Sequence, residues 1–352
     1  MKPWEAYIRK VEPYVPGEQP KLQKMIKLNT NENPYPPAPE VFQTMKDINI
    51  EKAKMYPDPT CEDLVKAIAE NFSVGANQVF VGVGSDDVLG MAFLTFFNSH
   101  KPILFPDITY SFYDVWAELY QIPYKQPMLD ESFKICKEDY YIENGGVVIA
   151  NPNAPTSIYE DLDFIKDILE HNQDVIVIVD EAYIDFGGES AVKLIKEYDN
   201  LLVVQTYSKS RSMAGMRIGY AIGHPDLIKA MNNVKYSYNS YTMSQVAIET
   251  GVAAINAKDY FEETKEKIIS TRERVKSSLR QLGFEFPDSR TNFLFVRHNL
   301  VSAKELYDAL REENIFVRYF NKPRLDNYLR ITIGTDEEMD TLILFLKNYL
   351  SR

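Results

Sequence analysis

The chain has 352 residues, 45% of them hydrophobic and 26% charged, a make-up that suits a globular protein with a large core in one big domain or two. Its formal charge of −12 argues against a nucleic-acid or anionic-membrane surface, although a few arginines in a cleft can still bind a small phosphorylated ligand. Two cysteines, Cys61 and Cys136, cannot build a disulfide framework and fit a reducing cytosol. The start, Met1-Lys2-Pro3-Trp4-Glu5-Ala6, has no leader-like apolar stretch, and no run approaches a membrane span, so a cytoplasmic protein is expected. His100, His171, His224 and His298 are scattered without metal-ligand spacing, and no metal is expected.

In chain order, Pro13-Tyr14-Val15-Pro16-Gly17 reads as an extended arm, because proline disfavours helix at and before its own position. Short Val/Ile/Phe runs then alternate with longer helical stretches. Residues 78–83, 103–105, 147–150, 175–179 and 201–205 read as strands, and their alternation with helices implies crossover connections and a mostly parallel sheet. A polar cluster follows each: Gly84-Ser85-Asp86-Asp87, then 106–110 ending in Tyr110, Asn151 to Thr156, Asp180-Glu181-Ala182-Tyr183, and Thr206 to Lys209. Open α/β sheets bind ligands at the carboxyl ends of their strands, so five clusters are expected on one sheet edge. An amphipathic stretch over 258–282, stopped by Gly283, reads as an interdomain helix. Strands at 292–296, 315–318 and 328–333, with helices over 303–313 and 336–349, make a smaller α+β domain.

The most informative stretch is Tyr207-Ser208-Lys209-Ser210-Arg211-Ser212-Met213-Ala214-Gly215-Met216-Arg217. Lysine forms a Schiff base with a carbonyl, while the Ser208 hydroxyl, backbone amides and the Arg217 guanidinium suit a phosphate dianion. The matching ligand is a phosphorylated aldehyde such as pyridoxal phosphate. Asp180 ends a β-branched run that should be buried on both faces, where a carboxylate needs a cationic partner. A protonated pyridine nitrogen supplies one, and Tyr183 could reach the phenolic oxygen. Gly84-Ser85-Asp86-Asp87 opens a helical pattern whose free amides favour phosphate. Taken singly, each feature has a plainer reading, such as a capping Asp or a solvated Lys; taken in this order they favour the cofactor.

Together with Leu28-Asn29-Thr30-Asn31-Glu32-Asn33-Pro34, Tyr56-Pro57-Asp58 and Leu329-Arg330-Ile331-Thr332-Ile333-Gly334-Thr335, these motifs resemble the fold-type I, aspartate-aminotransferase-like enzymes nearly end to end. Among them, the chain is most similar to the histidinol-phosphate aminotransferases. The resemblance implies an α/β fold, with a large pyridoxal-phosphate domain whose mostly parallel sheet is covered by helices, and a smaller α+β domain. It implies an arm over 1–30 associated with the small domain, a large domain over 31–240, and a small domain over 241–352 that includes the interdomain helix.

For the site, the resemblance implies Lys209, Asp180 and Tyr183 as catalytic residues. Ser85, Asp86, Tyr110, Asn153, Ser208, Arg217 and Tyr56 would join them around the cofactor, with Tyr110 stacked on its ring and the Asp86 and Asp87 side chains turned away from its phosphate. Tyr56 would reach the neighbouring subunit of a homodimer. Tyr14, Asn31, Arg318 and Arg330 would hold substrate, a phosphorylated amino alcohol or glutamate/2-oxoglutarate. Two positions depart from the family pattern. Ala154 stands where an asparagine usually bonds the cofactor's ring oxygen, so Asn153 is the expected substitute, and Ser157 replaces a glycine, which suggests that a positive φ is not needed there. Rival readings are a threonine-phosphate decarboxylase or a broad-specificity aminotransferase of the same fold, and a non-catalytic binding module, which intact Lys209, Asp180 and Arg217 disfavour. A nicotinamide site is weaker still, as no Gly-x-Gly-x-x-Gly follows a strand.

Overall fold

The computed structural model describes the chain except for Met1, Pro16, Lys21, Gln23 and Arg352. The parts of the expected arm and amino-terminal reading that fall on Met1 and Pro16 therefore lie outside the described residues.

Seven strands form the larger sheet, in the order Val79–Gly82, Gly219–Gly223, Leu201–Thr206, Val177–Asp180, Val147–Ala150, Ile103–Leu104, Tyr124–Lys125. Val147–Ala150, Val177–Asp180 and Leu201–Thr206 are buried at every position, as strands covered on both faces must be. One face packs on the helices Glu62–Phe72, Leu162–Glu170 and Gln245–Asn256 through residues such as Leu64, Ile165 and Ile248. The other packs on Ser85–Phe96, Tyr113–Tyr120 and Pro225–Tyr238 through Leu89, Trp116 and Met231. The sheet is parallel apart from Gly219–Gly223, which runs antiparallel to both its neighbours.

A second, antiparallel sheet has the order Arg318–Tyr319, Leu329–Thr332, Phe293–His298, Phe284–Glu285. Its core is shared with the helices Lys258–Gln281, Ala303–Glu312 and Asp336–Leu350. The run expected as one strand over 315–318 is divided: Ile315–Phe316 pairs in parallel with Ile26–Lys27, while Arg318–Tyr319 joins the four-stranded sheet. Leu28 N donates to Phe316 O at 2.7 Å, and Thr332 N donates to Leu28 O at 3.0 Å, so the segment leading out of the arm is fastened to this sheet. Met243, Ala247, Ile248, Ala254, Ile255 and Ala257 pack in the core of the larger sheet. Residues 243–257 thus lie with the large sheet rather than beyond a boundary near 240, because the helix Gln245–Asn256 buries its apolar side against Glu62–Phe72. Among the described residues no helix is long and apolar enough to cross a membrane.

Candidate active site

The carboxyl ends of the parallel strands surround a cavity of about 180 Å³ lined by Ser85, Asp86, Tyr110, Asp180, Tyr183, Ser208, Lys209 and Arg217. Lys209 Nζ donates to the Thr30 carbonyl at 3.2 Å and lies 5.7 Å from the centre of the Tyr183 ring. Among the described residues it has no carboxylate within ion-pair distance. Asp180, 5% exposed, sits at the last position of its strand. Burial raises its pKa to about 6, against the opposing pull of the Tyr113 hydroxyl, which donates to Oδ2 at 2.7 Å, and the Ala182 amide at 3.3 Å. A carboxylate so placed is poised to receive a cation or a proton-bearing nitrogen.

Opposite Asp180, the helix Ser85–Phe96 points its N-terminus at the cavity, and no side chain caps it. Gly84, its N-cap, has φ +85°, and a Cβ there would stand 2.3 Å from the Arg217 guanidinium. A Cβ on Gly219 would stand 2.3 Å from the main chain of Gly84 and Ser85. Two missing side chains thus let helix amides, a strand and an arginine converge, which is the arrangement a phosphate requires. Arg217 Nη2 bonds Asp86 Oδ2 at 3.2 Å, and Tyr110 donates to Asp86 Oδ1 at 2.7 Å. The Asp86 side chain therefore faces the cavity instead of turning away, because Arg217 and Tyr110 hold it; Asp87 does turn back, accepting from Val83 N at 2.9 Å. Ser208 receives the Thr206 hydroxyl at 3.0 Å and stays at the wall. The backbone hollow, the arginine and the buried acid fit pyridoxal phosphate.

Next to this cavity, Arg318 and Arg330 occupy directly opposed positions on adjacent antiparallel strands. Like charges in such a pair repel. Among the described residues neither has a carboxylate within ion-pair distance. Arg330 Nη2 reaches the Asn29 carbonyl at 3.0 Å, its Nε is buried without a partner, and burial together with Arg318 pulls its pKa below the ordinary arginine value. Two guanidinium groups without a carboxylate partner are the kind of group that recognises an anion. Tyr14 stacks on Phe112 with centroids 4.3 Å apart and lines the adjoining cavity with Arg318 and Tyr110.

Two further expectations are corrected, at Asn153 and Ser157. Asn153 is buried and does not line the cofactor cavity: its carboxamide donates to Ile108 O and Thr156 Oγ1, each at 2.9 Å, and accepts from Thr109 at 2.7 Å, so it ties its loop to the one after Ile103–Leu104. Asn31 donates to the Tyr183 hydroxyl at 2.9 Å and accepts from Thr332 at 3.1 Å, a pairing that orients Tyr183. Ser157 has φ +67°, so the left-handed conformation is kept without glycine. Tyr56 lies outside this chain's cavity, 81% exposed and stacked on Tyr241 at 4.6 Å. Sequence reasoning missed Tyr113, three residues beyond Tyr110, and Glu32, which lines the cavity inside a motif already singled out.

The model of the class I and II aminotransferases matches residues 23–346. Histidinol-phosphate aminotransferase of Clostridium beijerinckii is 52% identical over 350 residues, which is 99% of this chain and 98% of that protein. Histidinol-phosphate aminotransferase from Sinorhizobium meliloti, solved in complex with pyridoxal-5'-phosphate, shares the fold with a TM-score of 0.84 at 23% identity, over 93% of this chain and 92% of that one. L-threonine-O-3-phosphate decarboxylase from Porphyromonas gingivalis also shares it, with a TM-score of 0.79 at 21% identity over 93% and 100%. Fold alone does not separate transfer from decarboxylation, but the sequence match does place the chain: it belongs to the class I and II aminotransferase family.

Proposed function

We propose that this chain transfers an amino group from L-histidinol phosphate to 2-oxoglutarate, giving imidazole acetol phosphate and glutamate, with pyridoxal phosphate as cofactor, in histidine biosynthesis. The observation that carries the substrate class is the opposed, carboxylate-free pair Arg318 and Arg330 beside Lys209. The name of the C. beijerinckii relative supports the particular substrate.

When bound, pyridoxal phosphate supplies an aldehyde carbon that reacts with amines and a ring that accepts electrons. Ser85 and Asp86 amides, the Ser208 hydroxyl and Arg217 would hold its phosphate, with Tyr110 and Tyr183 the residues that would meet its ring and ring oxygen. Asp180 would keep a proton on the ring nitrogen, since a buried carboxylate favours a cationic partner. Lys209 would hold the cofactor's aldehyde end in the resting enzyme and stand free as an amine once the amino substrate is bound. The free Lys209 amine would take up the proton of the substrate's α-carbon as its ammonium and give it to the carbon that was the cofactor's aldehyde. Arg330 and Arg318 grip the anionic end of the substrate so that this proton faces the amine. Glutamate would bring its carboxylate to Arg330 and histidinol phosphate its phosphate to both arginines, in turn, a ping-pong cycle.

We further infer a cytosolic homodimer. Met55 and Tyr56 are exposed by 59% and 81%, and Tyr56 stacks on Tyr241, itself 45% exposed; an exposed apolar group of this kind suits a second copy, and Tyr56 would extend from it to the partner's cofactor phosphate. The functional test is a stopped-flow experiment on holoenzyme mixed with histidinol phosphate alone. Conversion of the bound cofactor to its amine form without release of carbon dioxide is expected. No conversion with this amine, and rapid conversion or carbon dioxide release with threonine phosphate, would overturn the substrate assignment.

A further inference from the structure

A second cavity, about 980 Å³, adjoins the first through Tyr110 and is walled by Tyr14, Arg318, Phe320, Asp107 and Arg324. One ion pair of the described residues joins two of its walls. Arg324 Nη1 donates to Asp107 Oδ2 at 2.8 Å, and Nη2 donates to the carbonyls of Leu129 at 2.7 Å and Asp130 at 2.8 Å. Asp107 follows the strand Ile103–Leu104 of the larger sheet and also accepts Leu129 N at 2.9 Å. Arg324 belongs to the turn between Arg318–Tyr319 and Leu329–Thr332 of the smaller sheet. The guanidinium is committed to three acceptors, so it is a tie rather than a substrate ligand. Its backbone sits at φ +68°, a conformation a non-glycine residue keeps only where its surroundings impose it. The next residue, Leu325, packs with Ile108, Leu129, Phe133 and Phe295, an apolar cluster drawn from both halves of the molecule.

The geometry points to Asp107–Arg324 as a positioning pair that fixes how far Arg318 and Phe320 stand from Tyr110, and so selects long phosphorylated amino substrates over glutamate. Arg318 and Phe320 ride on the tethered turn, with Arg318–Tyr319 an edge strand. Arg330 lies in a strand paired on both sides and keeps its place without the tether. An anion gripped by Arg330 near Lys209 therefore does not depend on Arg324, whereas a substrate that must also reach Arg318 does. This inference rests on the function proposed above.

The test compares the two half-reactions of Arg324→Gln and Asp107→Asn holoenzymes with those of the unaltered enzyme. With histidinol phosphate, kcat/KM should fall by about tenfold through KM, while the glutamate half-reaction stays within about twofold. The double variant should be no worse than the weaker single one. Asp107→Asn keeps the size and an acceptor oxygen, which leaves the comparison available should Arg324→Gln fail to fold. Equal losses with both substrates, or no loss with histidinol phosphate, would overturn the positioning role. Unaltered enzyme that converts with glutamate and not with histidinol phosphate would instead overturn the functional reading and the inference with it.

Discussion

Asp180 and its neighbour Glu181 are both buried carboxylates, and their surroundings divide them. Glu181, 1% exposed, is enclosed by the Ser190 hydroxyl and the Ala191 amide, both at 2.6 Å, and by the Gln205 amide at 2.7 Å, while Asp180 opens on the cavity. Burial pushes Glu181 up to about 7 and Asp180 to about 6. Raised carboxyl pKa values mean that the folded chain binds protons the unfolded chain has released, so their stabilisation is complete below the ordinary carboxylate range and fades as pH rises through 6 and 7. Carboxylates held below their ordinary value, such as Asp336 and Glu273, act in the opposite direction but are fully ionised in that window. The cofactor-free protein should therefore lose thermal stability between pH 5 and 7.5, and Glu181→Gln should flatten that slope. A Tm that rises over this range in both proteins would contradict the account. At this scale Lys209, Asp180 and Arg217 were legible in the sequence because their chemistry needs those residue types. Asn153 and Asn31 were not, because a carboxamide serves loop and site equally well and only its partners decide. Ser157 misled because residue type fixes φ only loosely.

Single elements show the same division. The three central strands were legible because burial on both faces demands unbroken Val, Ile and Leu. Gly219–Gly223 was not, since its composition answers to close approach: Gly219 lets the strand touch the first turn of Ser85–Phe96. A methyl group there meets main-chain atoms that have no rotamer to yield. Gly219→Ala should cost about 1–3 kcal/mol of stability and weaken cofactor retention more than it weakens substrate binding, as read by denaturant melts and by loss of bound cofactor on dialysis. Unchanged retention would remove the strand from the phosphate cradle. Residues 245–256 were grouped with the small domain by the resemblance alone, while Ala247, Ile248, Ala254 and Ile255 pack with the larger sheet. Amphipathic spacing says that a helix is half-buried but not against which sheet.

Across the whole molecule, the family pattern predicted two sheets and one shared cleft, while the tie between Asp107 and Arg324 depends on residues 217 positions apart and left no local pattern to read. Tyr56 belongs to this scale because it points away from its own cavity. Should it act in a partner's site, mixing inactive Lys209→Ala with weakened Tyr56→Ala should restore activity, since one of the two hybrid sites regains both residues. Mixtures no better than the average of their components would place Tyr56 outside the reaction.

The opposed arginines have an effect outside catalysis. Two guanidinium groups that repel across a strand pair should make a small dianion a stabilising ligand, so inorganic phosphate is expected to act on this protein as a competitor as well as a buffer. Tm should climb with phosphate by RT ln(1 + [L]/Kd), and the KM for histidinol phosphate should climb in step. Chloride at matched ionic strength should do much less, and Arg318→Gln should abolish the difference. Rates measured in phosphate and in an uncharged buffer would then describe two differently occupied enzymes.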